Sequence, residues 1–114
     1  MSSVSVGKNL VATVKTTMYT VPAKYVAEWE LLFVSNDGAP NKTIDVHWYD
    51  SSQNVEINIL PAYPLAANEF LKFDGLARIV LEQGDKIYAT GSAASVMTCV
   101  VTLKLIPARN SSLT

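Results

Sequence analysis

The sequence contains very little of what most catalytic and metal sites are built from. It has one cysteine, Cys99, and one histidine, His47, among its 114 residues. A single cysteine excludes an internal disulfide framework and a cluster of several cysteine ligands, and in the apolar run MTCVVTL it is expected to be buried. A nucleophilic pair needs both groups side by side, but His47 and Cys99 belong to different predicted strands. We therefore predict no catalytic residues, no metal ligands and no cofactor.

The chain also lacks an excess of charge of either sign. Nine Lys and Arg residues and ten Asp and Glu residues give a net charge of -1, with the basic residues scattered along the chain. We therefore predict neither nucleic acid nor an anionic membrane as a partner. No apolar run approaches the length that crosses a bilayer, and MSSVSVGKN does not have the basic start and long apolar core of a signal peptide. We expect a soluble protein made without classical secretion.

Two pairs of acidic residues, Glu28 with Glu30 and Asp45 with Glu56, have the side chains that glycoside cleavage requires. Acids on the outer face of a sheet are usually solvated, and the neighbouring sequence supplies no apolar pocket that would raise the pKa of one of them. We expect a protein that acts by binding and is not an enzyme.

What the sequence has in abundance is residues that favour β-strands. Val, Ile, Thr and aromatic residues concentrate in short runs separated by turn residues, and no segment keeps a helical period over ten residues. The predicted strands include 10–14, 18–21, 43–50, 54–60, 69–75, 77–81, 85–91 and 95–106. About eight short strands predict an all-β fold, a single-domain antiparallel β-sandwich or jelly roll. The sandwich is predicted over 9–106, between an N-terminal arm (1–8) and a flexible C-terminal tail (107–114).

The segment PAYPLAAN (61–68) is predicted to be a loop, because Pro61 and Pro64 cannot donate ladder hydrogen bonds. The two prolines would hold Tyr63 in a rigid segment, so Tyr63, Pro61 and Pro64 are candidates for contact with a partner or a glycan. For the tyrosines in general, including Tyr49 and Tyr88, packing on neighbouring loops or on another subunit is the simpler interpretation. We predict Tyr49 at a subunit interface.

Four motifs follow one another along the chain and together form a pattern. They are Tyr19-Thr20-Val21-Pro22, Val34-Ser35-Asn36, Leu65-Ala66-Ala67-Asn68-Glu69 and Leu81-Glu82-Gln83-Gly84-Asp85. The chain resembles, over residues 18–106, small jelly-roll virion proteins of tailed bacteriophages. Asn68 stands where that pattern favours glycine, and Asn is a residue that tolerates left-handed backbone.

The resemblance implies a structural virion protein located in the virion and made in the cytoplasm of a host bacterium. Such proteins recur as capsid decoration (cement) proteins, head fibres and tail or neck components. We expect a decoration protein that binds the major capsid protein, or other virion proteins, and that forms a homo-oligomer, with a trimer favoured over a dimer. The alternative is a receptor- or glycan-binding module of a head fibre or tail. Fibres normally carry a coiled coil or repeat before such a module, and this chain has neither.

The stretch EWELLFVSNDG (28–38) contains four large apolar residues in a row, so both faces of an extended strand become apolar. In a regular strand, Trp29, Leu31 and Phe33 face the core and Leu32 and Val34 face outward. We favour this register because it puts the largest set of side chains on one face.

A β-bulge near Glu30, which the family pattern favours, gives the opposite result. Leu32, Val34 and Asn36 then face inward, and Leu31 with Phe33 is the pair left outside. In either register two large apolar side chains face outward, and a soluble domain seldom leaves such a pair wet. We therefore predict an interface with another subunit at Leu32 and Val34, or at Leu31 and Phe33 if the strand is bulged.

Overall fold

The computed structural model of the protein describes residues 2–38, 41–92 and 97–107, with the side chains of 2 and 74–78 left out. These residues form eight β-strands. The strands are β1 (Ser2–Asn9), β2 (Thr16–Thr20), β3 (Tyr25–Asn36), β4 (Lys42–Asp50), β5 (Val55–Leu65), β6 (Phe70–Leu81), β7 (Lys86–Gly91) and β8 (Met97–Pro107).

The strands form two antiparallel four-stranded sheets. Sheet A has the order β1-β8-β3-β6 and sheet B the order β2-β7-β4-β5. Only β4 and β5 are neighbours both along the chain and within a sheet, so most connections pass from one sheet to the other. Two such sheets packed face to face, with this crossing order, form a jelly-roll β-sandwich. The predicted fold class is confirmed.

The core lies between the two sheets and is built by strict alternation along the inner strands. In β8, Met97, Cys99, Val101 and Leu103 are all fully buried, and the residues between them face outward. Facing them from sheet B are buried residues of β4 and β7, such as Ile44 and Ile87. Because alternation puts every second residue on one face, these strands were predictable from sequence.

The N-terminal residues pair with β8; the sequence predicts an arm over 1–8 with a short strand at VSV (4–6). Ser2–Asn9 forms β1, with a register that runs from Ser2 opposite Leu105 to Asn9 opposite Thr98. Val4 and Val6 pack against the core. Strand β8 pairs with β3 along one side. Pairing with β1 along the other side satisfies the remaining backbone N–H and C=O groups of β8. Beyond Pro107, the predicted C-terminal tail lies outside the described residues.

The segment 10–14 is a turn, so the strand predicted there is wrong. Leu10 is buried, Thr13 has a left-handed φ of 59°, and its N–H donates to Gly91 O at 2.8 Å. The chain passes here from β1 in sheet A to β2 in sheet B. A segment that connects the two sheets cannot pair along its length with a strand of either sheet.

Residues 61–65 belong to β5, so the loop predicted from Pro61 and Pro64 is wrong for them. β5 is the last strand of sheet B and pairs only with β4, so a proline without an N–H can be accommodated. The pairing is interrupted by register shifts on either side of Val46. At one of them Ala62 takes a left-handed φ of 44° and its N–H donates to the Asp45 carboxylate.

The short connection from β5 to β6 is fastened by a residue of the resemblance pattern. The Asn36 side chain donates to the carbonyl oxygens of Leu65 and Ala66, both at 3.2 Å. In the same turn Asn68 has a φ of 61°. Asn68 therefore adopts the left-handed conformation for which the pattern favours glycine.

Candidate binding surfaces

Strand β3 is bulged, so the regular register predicted for it is wrong. Trp29 lies opposite Leu103 of β8, but Leu31 lies opposite Thr102, which makes Glu30 the extra residue. The β8 alternation is unbroken, so β3 must skip one residue to keep its own inward side chains facing the core. Across the bulge, the Trp29 indole N–H donates to Leu31 O at 2.9 Å.

The bulge changes which apolar residues face outward. Leu32 and Val34 are buried in the core, opposite Val101 and Cys99, so they are not available to another subunit. Their assignment as interface residues is therefore corrected. Leu31 and Phe33, the pair assigned to the bulged register, lie on the outer face of sheet A and are half-buried. Their contact with another subunit stays a prediction.

Leu31 and Phe33 belong to a larger apolar surface, which we call the outer patch: Leu31, Phe33, Phe70 and Val100. The Phe33 and Phe70 rings stack at 5.3 Å between centroids, and Phe70 is 63% exposed. Val100 lies opposite Phe33 on β8. Polar residues border the patch: Lys72 lies opposite Phe33 on β6, and the hydroxyl oxygens of Ser5 and Thr102 are hydrogen-bonded, 2.8 Å apart. An apolar centre with a polar rim is typical of protein interfaces.

A second apolar surface lies where β5 and β6, the last strands of their sheets, face each other across the sandwich. We call it the open edge, and its members are Val55, Ile57, Ile59, Tyr63, Phe73 and Ile79. By register these residues point inward: Ile57 lies opposite Trp48, Tyr63 opposite Ile44, and Phe73 opposite Leu32. Nevertheless, Val55 is 43% exposed, and Ile57 and Phe73 are each 39% exposed.

A notch of about 60 Å³ opens into this edge beside the β3 bulge. It is lined by Trp29, Glu30, Leu31, Leu32, Ile59, Phe73 and Ile79. Leu31 also belongs to the outer patch, so the two apolar surfaces meet around β3 and β6. Tyr63, predicted as a partner or glycan contact together with Pro61 and Pro64, lies on the β5 side of the open edge. The contact of these three residues with a partner or a glycan stays a prediction.

The outer face of sheet B carries the other two tyrosines in a polar setting. Tyr49 and Tyr88 have ring centroids 6.4 Å apart, and the Tyr49 hydroxyl and Asn54 Oδ1 are 2.6 Å apart. Lys15 Nζ lies 4.7 Å from the Tyr88 ring centroid and 2.6 Å from Glu56 Oε2. Lys15 therefore covers one face of the Tyr88 ring, which removes that face as a stacking surface for a sugar. The predicted subunit contact at Tyr49 stays a prediction.

His47 and Cys99 are on different sheets. His47 lies on the outer face of sheet B, with Nδ1 3.8 Å from Glu56 Oε1. Cys99 is fully buried in sheet A, and burial raises the pKa of its thiol to about 12. The structure does not bring these two groups together, so they do not form a nucleophile and base pair.

At one end of the sandwich, Asp85 joins two turns, a role that sequence reasoning missed. Its carboxylate accepts hydrogen bonds from Glu82 N, Ser51 N, Ser51 Oγ and the Trp48 indole N–H, at 2.9 to 3.1 Å. Burial acts to raise the pKa of Asp85, but these bonds outweigh burial and place the pKa below its ordinary value. The preceding Gly84 has a φ of 85°, a conformation that favours glycine. The Gly-Asp pair was the signal in the sequence.

Beside Asp85 lies a polar cleft of about 330 Å³. Its lining residues are Trp48, Asp50, Ser52, Gln53, Val80, Glu82 and Asp85. Asp50 is almost fully buried, and its Oδ1 accepts from Ser52 N at 3.2 Å and Ser52 Oγ at 2.8 Å. Among the residues that the structure describes, no group of three or more His, Cys, Asp or Glu side chains is placed to hold a metal ion.

No protein-family model matches the chain, and a search of the curated proteins finds no match. Within the described ranges, no helix is long and apolar enough to cross a membrane. The most distinctive features of the molecule are therefore its two apolar surfaces, the outer patch and the open edge.

Proposed function

We propose that the protein is a structural component of a bacteriophage virion that decorates the capsid, binds across capsid subunits and stabilises the head. The observation that carries this proposal is the outer patch, which exposes stacked phenylalanine rings on a sheet face that normally contacts water. The motif pattern over residues 18–106 and the jelly-roll strand order are consistent with it.

The mechanism is binding without chemistry. Full burial of a large apolar side chain contributes about 1.5–3 kcal/mol. The four residues of the outer patch therefore supply several kcal/mol towards one contact with a capsid subunit, before the cost of association. A rigid sandwich that contacts two neighbouring subunits adds a bond that must break before the subunits separate. Heads that carry the protein then withstand more heat or internal pressure.

The test uses heads purified without the protein, to which the purified protein is added back. The wild-type protein is expected to bind and to raise the temperature at which the heads release their DNA. Phe70→Ser should weaken binding at least about tenfold, since the exposed ring contributes to the contact and not to the core. Val11→Ser is the matched control, because Val11 is also exposed, at 55%, but lies in the turn between β1 and β2.

Two results would overturn the proposal. Heads that lack the protein could prove as heat-resistant as complete heads, which would remove the cementing role. Phe70→Ser could bind as tightly as the wild-type protein, which would remove the outer patch as the contact.

A second candidate function is a receptor- or glycan-binding module of a fibre or tail, favoured by the polar cleft beside Trp48. An indole with carboxylate, amide and hydroxyl groups around it can bind a sugar through stacking and hydrogen bonds. Glycan-array binding by the isolated protein, abolished in a Gln53→Ala, Glu82→Gln variant and retained in Phe70→Ser, would favour this function over decoration.

A further inference from the structure

The two edges of the sandwich, β1–β2 and β5–β6, differ in how completely they shield the core from solvent. At the β1–β2 edge the backbones of the two strands approach each other, and Leu10 in their connection is buried. At the open edge, by contrast, Val55, Ile57 and Phe73 point into the space between the sheets and still contact solvent. The sandwich therefore exposes part of its interior along β5 and β6.

The exposed area of the open edge is comparable to the apolar part of a standard interface. The four most exposed members, Val55, Ile57, Tyr63 and Phe73, together expose on the order of 300 Å², if a fully exposed side chain of this size offers about 150–200 Å². A stable protein interface buries about 800 Å² per partner, of which about 450 Å² is apolar. One contact of standard size would therefore cover the whole edge.

The residues of the open edge favour side-chain packing against an identical subunit. All six members are uncharged. Of the neighbouring acids, Glu30 lines the notch, Asp50 lies opposite Val55 and accepts hydrogen bonds from Ser52, and Glu56 is ion-paired with Lys15 on the outer face of sheet B. Charged residues are depleted at the centre of protein interfaces, and contacts between identical subunits are more apolar than other interfaces. Pro61, Pro64 and the register shifts of β5 interrupt a regular hydrogen-bonding edge, so side-chain packing is favoured over the addition of a strand.

We propose that a second copy of this chain covers the open edge and forms a two-fold symmetric dimer. In a two-fold contact the same surface serves both partners, so it must contain both projecting and recessed parts. The open edge offers two such parts: the partly exposed side chains of Val55 and Ile57 along β5, and the recessed notch beside Phe73 and Ile79. This inference does not depend on the proposed function, because it concerns the isolated protein.

The first test is sedimentation velocity of the full chain over a range of concentrations. The wild-type protein is expected to sediment as a dimer, at twice 12.4 kDa. Val55→Asp should weaken dimerisation at least about tenfold, because it places a second carboxylate opposite Asp50 and within an apolar contact. The matched control Val11→Asp introduces the same charge at the opposite edge and should leave the dimer unchanged.

The second test is cross-linking and depends on Cys99 being buried and unreactive in the folded protein. A cysteine introduced as Ile57→Cys would then be the reactive thiol, and a short bis-maleimide should join two copies in high yield. Ser3→Cys, on the exposed strand β1, should give only the low yield of random collisions.

A wild-type protein that remains monomeric at tens of micromolar would overturn the inference. So would an oligomer that Val55→Asp and Val11→Asp affect equally, or a trimer that Ile57→Cys does not cross-link into pairs. Failure of these tests would leave head binding by the outer patch intact. Failure of the add-back experiment would leave the dimer intact.

Discussion

At the scale of single residues, Asp85 shows how a buried charge is retained in a small β protein. Its carboxylate is almost fully buried, yet donors from the β4–β5 and β6–β7 turns satisfy it. A buried carboxylate with several hydrogen bonds is stabilised in its charged form. Alternation in the sequence could not reveal this role, because the donors come from turns that are distant along the chain.

We predict that Asp85→Asn lowers the free energy of unfolding by about 2–4 kcal/mol, since it removes the charge that four donors share. Urea unfolding measures the change. Asp37→Asn, at an exposed turn, is the control and should change the free energy by less than about 0.5 kcal/mol. Equal effects of the two substitutions would contradict the role assigned to Asp85.

The same residue predicts a pH dependence. The pKa of Asp85 is lowered in the folded state, so its contribution is present above the unfolded pKa of about 3.9 and is lost as the pH falls through the folded pKa. The difference in stability between wild type and Asp85→Asn should therefore shrink below about pH 4. A difference that grows on acidification would contradict the sign of the shift.

Cys99 gives a prediction that concerns reactivity. Burial raises the pKa of its thiol to about 12, so almost no thiolate exists at pH 8 and reagent has no access to the sulfur. We expect no labelling by a thiol reagent over hours in native buffer and complete labelling in urea, as read by intact mass. Rapid labelling in native buffer would show that β8 does not lie in the core.

At the scale of strands, the β3 bulge explains why sequence reasoning chose the wrong register. Trp29, Leu31 and Phe33 form the largest apolar set for an unbroken strand, and that criterion favoured a regular strand. The deciding information lies in β8, whose unbroken alternation requires Leu32 and Val34 opposite Val101 and Cys99. The apolar pattern of β3 alone cannot reveal the register that pairing with β8 imposes on it.

The two registers differ in a measurable way. In the bulged strand Leu32→Ala leaves a core cavity and should cost about 2–5 kcal/mol of unfolding free energy. Leu31→Ala removes a half-buried outer side chain and should cost about 1 kcal/mol or less. Chemical denaturation of the two variants under identical conditions compares them. A larger cost for Leu31→Ala would restore the regular strand.

β5 shows a second limit on reading strands from sequence. Prolines at 61 and 64 predicted a loop because they cannot donate to a ladder, but an edge strand has one side that needs no partner within the sheet. Whether a strand lies at an edge is a property of the whole fold. Tyr63, singled out from sequence, therefore lies on the inner side of an exposed strand and not in a loop.

At the scale of the whole molecule, composition and alternation were sufficient for the fold class, because two packed sheets require only that most strands have one apolar face. They were not sufficient for the binding surfaces. The outer patch depends on the bulge, and the open edge depends on which strands end the two sheets. The expectation that two large apolar residues face outward holds, with Leu31 and Phe33 as the half-buried pair and Phe70 added from β6.

The two proposals assign the molecule two contacts that adjoin at Leu31: the outer patch with a capsid subunit and the open edge with a second copy. Contact with both partners would let one dimer bridge two capsid subunits, which multiplies the strength of each contact through effective concentration. A dimer-disrupting Val55→Asp protein should therefore bind heads more weakly than wild type while still reaching saturation at high concentration. Head-binding isotherms of the two proteins measure this difference.

Electron cryo-microscopy of heads with and without the protein tests most directly whether the protein decorates the capsid through the outer patch. We predict additional density on the outer surface of the head that fits the sandwich, with Phe33 and Phe70 turned towards the capsid. Absence of additional density on the head, or density in which the outer patch faces solvent, would contradict it.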